Sequence, residues 1–460
     1  MRADLLPKLR RAAGFLDRWQ WLILLVAAPF YLFPAPARTP LLLVLPVLWL
    51  AAWLAGSPLL PRTPLNAALL LFSLMLLISL WTTFDLVYSV PKVAGVLLGL
   101  GAYFAIVRLT AGRPDRLWRV VALFVLSAGG LAVLGVVGID WLDKVPILTA
   151  ISQRLPVIIR GLPGAETGLS ANEVAGALIL ILPVQVGLLA TAWQRWPQVP
   201  ADDALAVRPR LWLAAQVVLL ALSGGLLLLT QSRSAWLGFF VGLALIMAVS
   251  GRRARWLLLG AGVLTIVALL AVGGPREVVS LLARVAGSDI DAKAIQRQAL
   301  WYYGLLAVRS FPITGMGLNA FRKALPELYP TVPLPAGFDV THAHNHLLQA
   351  ALNFGLPGLV AYLGLWFGAA GALTAAFRAT ADPWLRGLAL GLGAGLAAFF
   401  VYGLFDVIDF GAKLGIFFWF ALALSICVYQ VAHAHRLPAP PKPATVAAAT
   451  LGTTSGGRQL

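Results

Sequence analysis

Cysteine and charged residues are both scarce in this chain. The only cysteine is Cys427, so an internal disulfide framework is impossible and a cysteine-ligated metal site is disfavoured. Charged residues make up 12% of the sequence, whereas hydrophobic residues make up 60%. The charged fraction is about half that of an average soluble domain. This composition excludes a soluble enzyme, a disordered scaffold and a fibrous protein.

Long apolar segments predict a membrane protein. Crossing a hydrocarbon layer of ~30 Å takes ~20 mostly apolar residues in a helix, and about twelve segments meet this requirement. They lie near residues 20–37, 40–56, 66–82, 92–108, 119–138, 172–192, 211–230, 235–250, 256–273, 346–370, 387–405 and 414–432. The predicted fold class is therefore an all-α polytopic membrane protein.

The positive charge of the chain is a topology signal. The formal net charge is +17, which by itself could suggest a nucleic-acid partner. The basic clusters, however, fall in short connections that are cytoplasmic if the N-terminus is cytoplasmic, as the positive-inside bias requires. These clusters lie at 108–119, 195–210 and 252–255. We therefore expect no nucleic acid partner and a multi-pass protein with both termini in the cytoplasm, its first span being a retained anchor.

The connections between spans divide the chain into four parts. An N-terminal transmembrane bundle of about nine spans covers 1–273, and a large outer loop covers 274–345. C-terminal transmembrane helices cover 346–432, and a disordered cytoplasmic tail covers 433–460. Loops as long as 274–345 are usually functional. Apolar periodicity predicts amphipathic helices within it at 277–286 and 293–311, and prolines including Pro312 and Pro326 predict turns after them.

Arg233 is the first candidate for chemistry, because ionisable groups in membrane-spanning regions are costly and often functional. It lies in a turn of about four residues between two predicted spans, at their outer end, flanked by Ser232 and Ser234. A tightly held arginine beside hydroxyl donors suits an anion site. The alternative is an arginine at a helix end that extends to the lipid headgroups.

Three histidines lie close together where the chain is predicted to re-enter the membrane after the large loop. They are His342, His344 and His346. One of them could be a general base, since a neutral imidazole has a pKa near the working pH. They could also be interfacial capping residues. As a metal site, His342 and His346 would share a helical face at i, i+4, but we expect no carboxylate to complete it, and the HExxH motif is absent. We rank catalysis first, capping second and metal binding third.

Other polar residues of the outer segments could contribute to a site. Arg297 and Arg322 carry guanidinium groups suited to bidentate binding of pyrophosphate, whereas Arg309 and Lys323 are better explained as solvated residues. Aromatic residues of the loop could stack on sugars or pack the loop onto the membrane; they are Trp301, Tyr302, Tyr303, Phe321 and Tyr329.

Several acidic residues also lie at predicted outer ends, among them Asp85 and Asp406. Asp406 is interpreted as a helix-terminal residue, and Asp409 could pair with Lys413 at i, i+4. The sequence lacks a phosphate-binding loop, so ATP is a poor candidate for the substrate.

Three segments in this order resemble the O-antigen ligase and polymerase superfamily of bacterial membrane glycosyltransferases. They are Arg233-Ser-Ala-Trp-Leu237, the outer loop with Arg297 to Trp301 and Phe311-Pro-Ile-Thr-Gly-Met-Gly317, and His344-Asn345 followed by Phe354-Gly-Leu-Pro-Gly-Leu359. Gly168-Leu-Ser-Ala-Asn172 resembles the family's Asn-containing segment before the next span. The resemblance covers roughly 160–425.

The resemblance implies a GT-C-like fold with a periplasmic loop over the active site, in the inner membrane. It implies an inverting transfer that needs no metal or other cofactor, from an undecaprenyl-pyrophosphate-linked glycan donor to a glycolipid or lipid-linked glycan acceptor. Arg233 and Arg297 would hold the pyrophosphate and His344 would activate the acceptor hydroxyl. Asn345, His342, Arg322, Asn172 and Trp301 are the expected substrate-binding residues. His342 and His346 are additional to the family's pattern, so the identity of the base stays open.

Alternative functions remain. A polymerase would use the same donor with another lipid-linked repeat as acceptor; the concentration of outer basic residues on one loop favours the ligase by a small margin. A polysaccharide or lipid transporter would carry charges near the membrane midplane and internal repeats, neither of which the sequence contains. A non-catalytic assembly partner would tolerate alanine at Arg233 and His344.

Overall fold

The computed structural model describes residues 2–33, 35–56, 61–161, 166–195, 207–260, 290–330 and 340–434. Within these ranges the regular secondary structure is helical apart from one short parallel strand pair, β1 (Ile139–Asp140) and β2 (Leu169–Ser170). The helices are α1 (Arg2–Leu32), α2 (Val44–Leu54), α3 (Asn66–Thr82), α4 (Leu86–Thr110), α5 (Pro114–Gly138), α6 (Pro146–Ser152), α7 (Ala171–Arg195), α8 (Val207–Leu229), α9 (Arg233–Ser250), α10 (Ile290–Ser310), α11 (Phe321–Leu328), α12 (His346–Ala379), α13 (Pro383–Gly403) and α14 (Ile416–His433).

Within the described ranges, eight helices are long and apolar enough to cross a membrane, and each coincides with a predicted span. They are α4, α5, α7, α8, α9, α12, α13 and α14. Among the remaining predicted spans, 66–82 corresponds to α3, which has 17 residues. Span 20–37 falls mostly in the longer α1, and span 40–56 is divided between a 3₁₀ helix at Pro36–Leu43 and α2. Span 256–273 lies largely outside the described residues. The chain is thus an all-α membrane protein, and the count of twelve stays a prediction.

The centre of the bundle is built on small residues. Helices α7, α9 and α13 approach so closely that a Cβ on Gly395 would lie 2.5 Å from the Leu180 carbonyl oxygen. Gly238 faces the backbone of Ala398, and Gly242 faces that of Ala394. Without a strong hydrophobic force between helices in lipid, such close backbone packing stabilises the bundle. The two pairings also show that α9 and α13 run antiparallel.

Alternate connections between the spans meet at one end of the bundle, as the predicted topology requires. The segment before and at the start of α4 contacts both the large loop and the connection after α13. The turn between α8 and α9 contacts the segment after β1. The residue pairs are Asp85–Lys323, Lys92–Asp409, Gln231–Lys144 and His344–Asp406. We call this end of the bundle the loop end. Its assignment to the outer side of the membrane stays a prediction.

The large loop is fixed to a break in α12. Helix α10 covers the predicted helix 293–311, and α11 includes Pro326, where a turn was expected; the predicted helix 277–286 lies outside the described residues. At Gly355 the backbone has φ +69° and ψ −178°, which interrupts α12. The freed backbone there pairs with the loop, because the Leu356 N–H donates to the Pro312 carbonyl at 2.7 Å. The Met316 N–H likewise donates to the Leu352 carbonyl at 2.7 Å.

Candidate active site

Asn345 fixes the histidine segment to the neighbouring helix. It is the N-cap of α12, where its side-chain oxygen accepts hydrogen bonds from the Leu347 and Leu348 N–H groups, both at 3.0 Å. This is the usual capping geometry for Asn. Its amide nitrogen donates to the Leu404 carbonyl at 3.2 Å, directly after α13. Asn345, expected to bind substrate, therefore holds the start of α12 against the end of α13.

His344 and His342 converge on the carboxylate of Asp406. His344 has φ +50°, an uncommon backbone conformation for a non-glycine residue that is often associated with functional sites. Its Nδ1 lies 3.5 Å from Oδ1 of Asp406, and Nε2 of His342 lies 3.9 Å from the same oxygen. The two imidazole centroids are 4.3 Å apart. The Asp406 side chain is only 5% exposed, so its charge faces the imidazoles with little screening by water.

The environment shifts the pKa values of His342 and Asp406. Burial, together with the neighbouring His344, lowers the pKa of His342 to about 4. Burial alone would raise the pKa of the Asp406 carboxyl, but the adjacent His344 and His342 outweigh it and hold that pKa below its ordinary value. At neutral pH the cluster therefore contains a carboxylate beside a neutral His342.

His344 presents Nδ1 to the carboxylate. A separation of 3.5 Å exceeds the usual length of a hydrogen bond, and within the described part of the chain this buried nitrogen has no hydrogen-bond partner. The contact is therefore mainly electrostatic. With Nδ1 directed at Asp406, Nε2 is the nitrogen available to a substrate.

His346 is part of the core. Helix α12 begins at His346, so the expectation that His342 and His346 share a helical face is wrong, because His342 precedes the helix. The His346 Nδ1 lies 2.9 Å from the Tyr362 hydroxyl, and its ring packs edge-on against Trp366 and Phe400. The residue is 4% exposed. Such burial removes His346 from the candidates for a base.

Asp406 is the residue of this cluster that the sequence argument missed. We interpreted it as a helix-terminal residue and expected no carboxylate near the histidines, yet its oxygen joins both imidazoles. His342, His344 and Asp406 form a group whose ligand atoms all lie within 4.8 Å of one another, close enough to hold a metal ion. Asp409 forms a salt bridge with Lys92 on α4 at 3.1 Å, and not the expected one with Lys413. The available signal was a carboxylate in a short connection between spans.

Arg233 is the first residue of α9, and a buried glutamine fixes the turn that carries it. The Gln231 side chain is fully buried and its backbone has φ +51°. Its Oε1 accepts hydrogen bonds from the N–H groups of Lys144 and Val145 at 2.8 and 2.7 Å, and its Nε2 donates to the Leu142 carbonyl at 2.6 Å. The turn is therefore held as tightly as its length predicts.

The antiparallel register of α9 and α13 sets the depth of Arg233. Since Gly242 and Gly238 face Ala394 and Ala398, the start of α9 lies level with Tyr402 near the end of α13. Tyr402 itself donates a hydrogen bond from its hydroxyl to the backbone carbonyl of Asn172 at 3.0 Å. Arg233 and Asn172 thus lie at the loop end of the bundle, as Asp406 does.

The loop helix α10 contacts the histidine segment through Trp301. The indole N–H donates to the Ala343 carbonyl at 2.9 Å, between His342 and His344. Arg297 lies one helical turn earlier than Trp301 and so projects from the same side of α10. Arg322 is exposed in the first turn of α11. Of the expected site residues, His342 and His344 are in direct ring contact, and Trp301 donates a hydrogen bond to the backbone between them.

An apolar groove runs along the bundle and ends near His346. It has a volume of about 620 Å³ and lies between α9, α12 and α13. Trp366 and Phe400 line it and also pack on His346. Phe377 and Arg378, near the end of α12, line it as well. A lateral groove with apolar walls suits a hydrocarbon chain.

Part of the chain matches a known protein family. The model of the O-antigen ligase family matches residues 216–363, a segment that contains Arg233, Arg297 and the histidine segment but ends before Asp406. No curated protein matches the chain. This family implies a glycosyltransferase-like function of the ligase or polymerase type in lipopolysaccharide biosynthesis, with lipid-linked glycans as substrates. This match supports the resemblance of the chain to the O-antigen ligase and polymerase superfamily.

Proposed function

We propose that the protein is a ligase that transfers a glycan from undecaprenyl pyrophosphate to a sugar hydroxyl of lipid A-core. The transfer takes place at the periplasmic face of the inner membrane, with inversion at the anomeric carbon and without a metal. The observation that carries the proposal is the contact of His344 with the buried Asp406 at 3.5 Å. It gives the site a histidine whose one nitrogen faces a carboxylate, which is how a general base is oriented in hydrolases and transferases.

His344 acts as the base in this mechanism. Its Nε2 takes the proton of the acceptor hydroxyl as the oxygen attacks the anomeric carbon, and the imidazolium that forms is stabilised by Asp406. A positioned base of this kind contributes typically 10²–10⁴-fold to the rate. The attack comes from the face opposite to the leaving group, so the new glycosidic bond has inverted configuration.

Arg233 and Arg297 stabilise the leaving group. As the bond between the sugar and the diphosphate breaks, negative charge develops on the diphosphate, and fixed guanidinium groups can stabilise it without a metal. The short turn at Gln231 supports this role for Arg233, because a guanidinium that is already oriented loses little entropy when the donor binds. Trp301 keeps α10, and with it Arg297, beside the histidine segment.

The donor's polyprenyl chain occupies the apolar groove between α9, α12 and α13. The groove is open to the membrane and continues to Phe400, which packs on His346 two residues from the base. A hydrocarbon chain in the groove would bring the pyrophosphate to the loop end of the bundle. Burial of apolar surface is worth roughly 25 cal/mol per Å², so the groove adds affinity for long-chain donors.

A transfer assay with purified protein tests the proposal. The reaction contains an undecaprenyl-pyrophosphate glycan, EDTA, and either lipid A-core or a second lipid-linked repeat. We expect turnover with lipid A-core that survives EDTA and is lost in Arg233→Ala, Arg297→Ala and His344→Ala. Turnover only with the second lipid-linked repeat would identify a polymerase.

Two matched variants serve as controls. Arg309→Ala removes an exposed arginine from the same helix as Arg297, and His433→Ala removes a histidine at the far end of α14; both should transfer at the normal rate. Loss of activity in EDTA would refute the metal-free mechanism. Normal turnover in the Arg233, Arg297 and His344 variants would refute the assigned roles and favour a transporter or a non-catalytic assembly partner.

A further inference from the structure

We propose that His342, His344 and Asp406 form an inhibitory site for a divalent transition metal, with Zn²⁺ the best-fitting ion. The first part of this proposal, the binding half, is that the site binds the metal, and it is argued from the geometry of the three side chains. The inhibitory half rests on the proposed function of His344 as the base. This site differs from a catalytic metal centre, because the protein cannot transfer a glycan while the metal is bound.

The separations between the donor atoms suit a tetrahedral ion. Zn²⁺ binds imidazole nitrogen and carboxylate oxygen at about 2.0–2.2 Å, so two ligand atoms of a tetrahedral site lie roughly 3.3–3.5 Å apart. Oδ1 of Asp406 lies 3.5 Å from Nδ1 of His344 and 3.9 Å from Nε2 of His342, and no pair of donor atoms exceeds 4.8 Å. Shifts of roughly 1 Å in the imidazoles therefore complete the ligand set.

The chemistry of the donors selects the ion. Two imidazoles and one carboxylate suit Zn²⁺ and neighbouring transition metals, whereas Mg²⁺ and Ca²⁺ prefer oxygen ligands alone. The buried Nδ1 of His344 has no hydrogen-bond partner in the described part of the chain, so metal binding breaks no hydrogen bond at that atom. Asp406 is already oriented, because Oδ1 accepts the Val407 N–H at 2.9 Å. Ordered ligands of this kind raise metal affinity.

Binding of the metal at His342 replaces one hydrogen bond with a metal–nitrogen bond. Its Nδ1 now accepts a long hydrogen bond of 3.3 Å from the His344 N–H. When Nε2 binds the metal, the imidazole proton resides on Nδ1, and this hydrogen bond is lost. The metal–nitrogen bond replaces it.

Inhibition follows from the tautomer of His344. As a base, the neutral imidazole carries its proton on Nδ1, facing Asp406, and offers the lone pair of Nε2 to the acceptor hydroxyl. A metal on Nδ1 requires the single proton of the neutral ring to sit on Nε2. That nitrogen then has no lone pair to accept the proton. The metal also engages the carboxylate that would stabilise the imidazolium.

Cobalt and zinc titrations of the metal-stripped, full-length protein test the binding half. Tetrahedral Co²⁺ gives a visible absorption band that Zn²⁺ should abolish by displacement. We expect one equivalent per chain in the wild type and in the control His433→Ala, and a loss of affinity of more than about 100-fold in His344→Ala and Asp406→Asn. A band that is absent from the wild type, or unchanged in these two variants, overturns the site.

Transfer assays with added Zn²⁺ test the inhibitory half. Zn²⁺ should stop transfer by the wild type, EDTA should restore it, and the transfer that His342→Ala retains should be insensitive to Zn²⁺. Activation by Zn²⁺, or equal inhibition of wild type and His342→Ala, overturns inhibition through this site. A wild type that binds Co²⁺ as expected but transfers no glycan in EDTA refutes the proposed function and leaves the metal site intact.

Discussion

Asp406→Asn removes the charge behind the proposed base while keeping the shape of the side chain. The amide oxygen of asparagine can still accept the Val407 N–H, which now donates to Asp406 at 2.9 Å, so the connection after α13 should keep its conformation. Two unit charges at the 3.5 Å separation of His344 and Asp406 interact by about 5 kcal/mol at an effective dielectric constant of 20. The imidazolium is only partly formed in the transition state and His344 is 24% exposed, so about half of this energy is realised. A loss of ~2.5 kcal/mol corresponds to a fall in kcat of roughly 10²-fold.

Steady-state transfer kinetics in EDTA measure this effect, together with direct binding of the donor. Because Asp406 acts on the base and not on the pyrophosphate, we expect kcat to fall while the Kd of the donor stays within about twofold. Asp409→Asn is the matched control, since it removes a buried carboxylate three residues later that pairs with Lys92 at 3.1 Å. This control should lower thermal stability with a much smaller effect on kcat.

A kcat for Asp406→Asn close to that of the wild type would refute the orientation argument. Equal losses of kcat in Asp406→Asn and Asp409→Asn, with equal losses of thermal stability, would also refute it. In that case the effect would come from disturbance of the connection between α13 and α14.

Three further substitutions test the loop anchor, the cap and the groove. Gly355→Ala places a side chain in a backbone region that is essentially restricted to glycine, at a cost of order 1–3 kcal/mol, and should lower the Tm; an unchanged Tm would contradict the fixed break in α12. Asn345→Ala should cost about 1 kcal/mol of stability and increase hydrogen exchange at Leu347, whereas Asn345→Asp keeps the capping oxygen, loses only the amide donor to the Leu404 carbonyl and should increase this exchange less. Gly393→Phe fills the groove and should raise KM for the long-chain donor but not for a short-chain analogue, with the exposed Gly371→Phe as control; equal KM changes in both variants would exclude the groove as the chain's site.

Hydropathy predicts the transmembrane helices wherever one long apolar segment makes one helix. The eight helices identified as long and apolar enough to span a membrane all coincide with predicted spans. The prediction is less accurate near the N-terminus, where the predicted span 40–56 begins in a 3₁₀ helix at Pro36–Leu43. Pro40 lies inside that element, and proline both lacks an N–H and fixes φ. Hydropathy does not include this constraint, so it overestimates the length of the helix.

The candidate site was predictable only in its local parts. The short turn at Arg233 and the polar cluster from His342 to His346 are visible in the sequence because each is local. Asp406 lies 62 residues after His344, and a single sequence contains no information that pairs them.

The different environments of the three histidine side chains also depend on residues distant in the sequence. His346 enters the core because Gly403 leaves room for its ring: a Cβ on Gly403 would lie 2.6 Å from the His346 Cγ. Helical spacing alone suggested that His346 and His342 face the same way. The N-cap at Asn345 prevents this, because it starts the helix after His342 and His344.

A double-mutant cycle of His344→Ala and Asp406→Asn in the EDTA transfer assay tests the central claim most directly. If Asp406 promotes transfer through His344, it has no role once the imidazole is gone, and the double variant should be no slower than His344→Ala alone. Rate losses that multiply in the double variant would mean that the two residues act independently, and the proposed base would have to be abandoned.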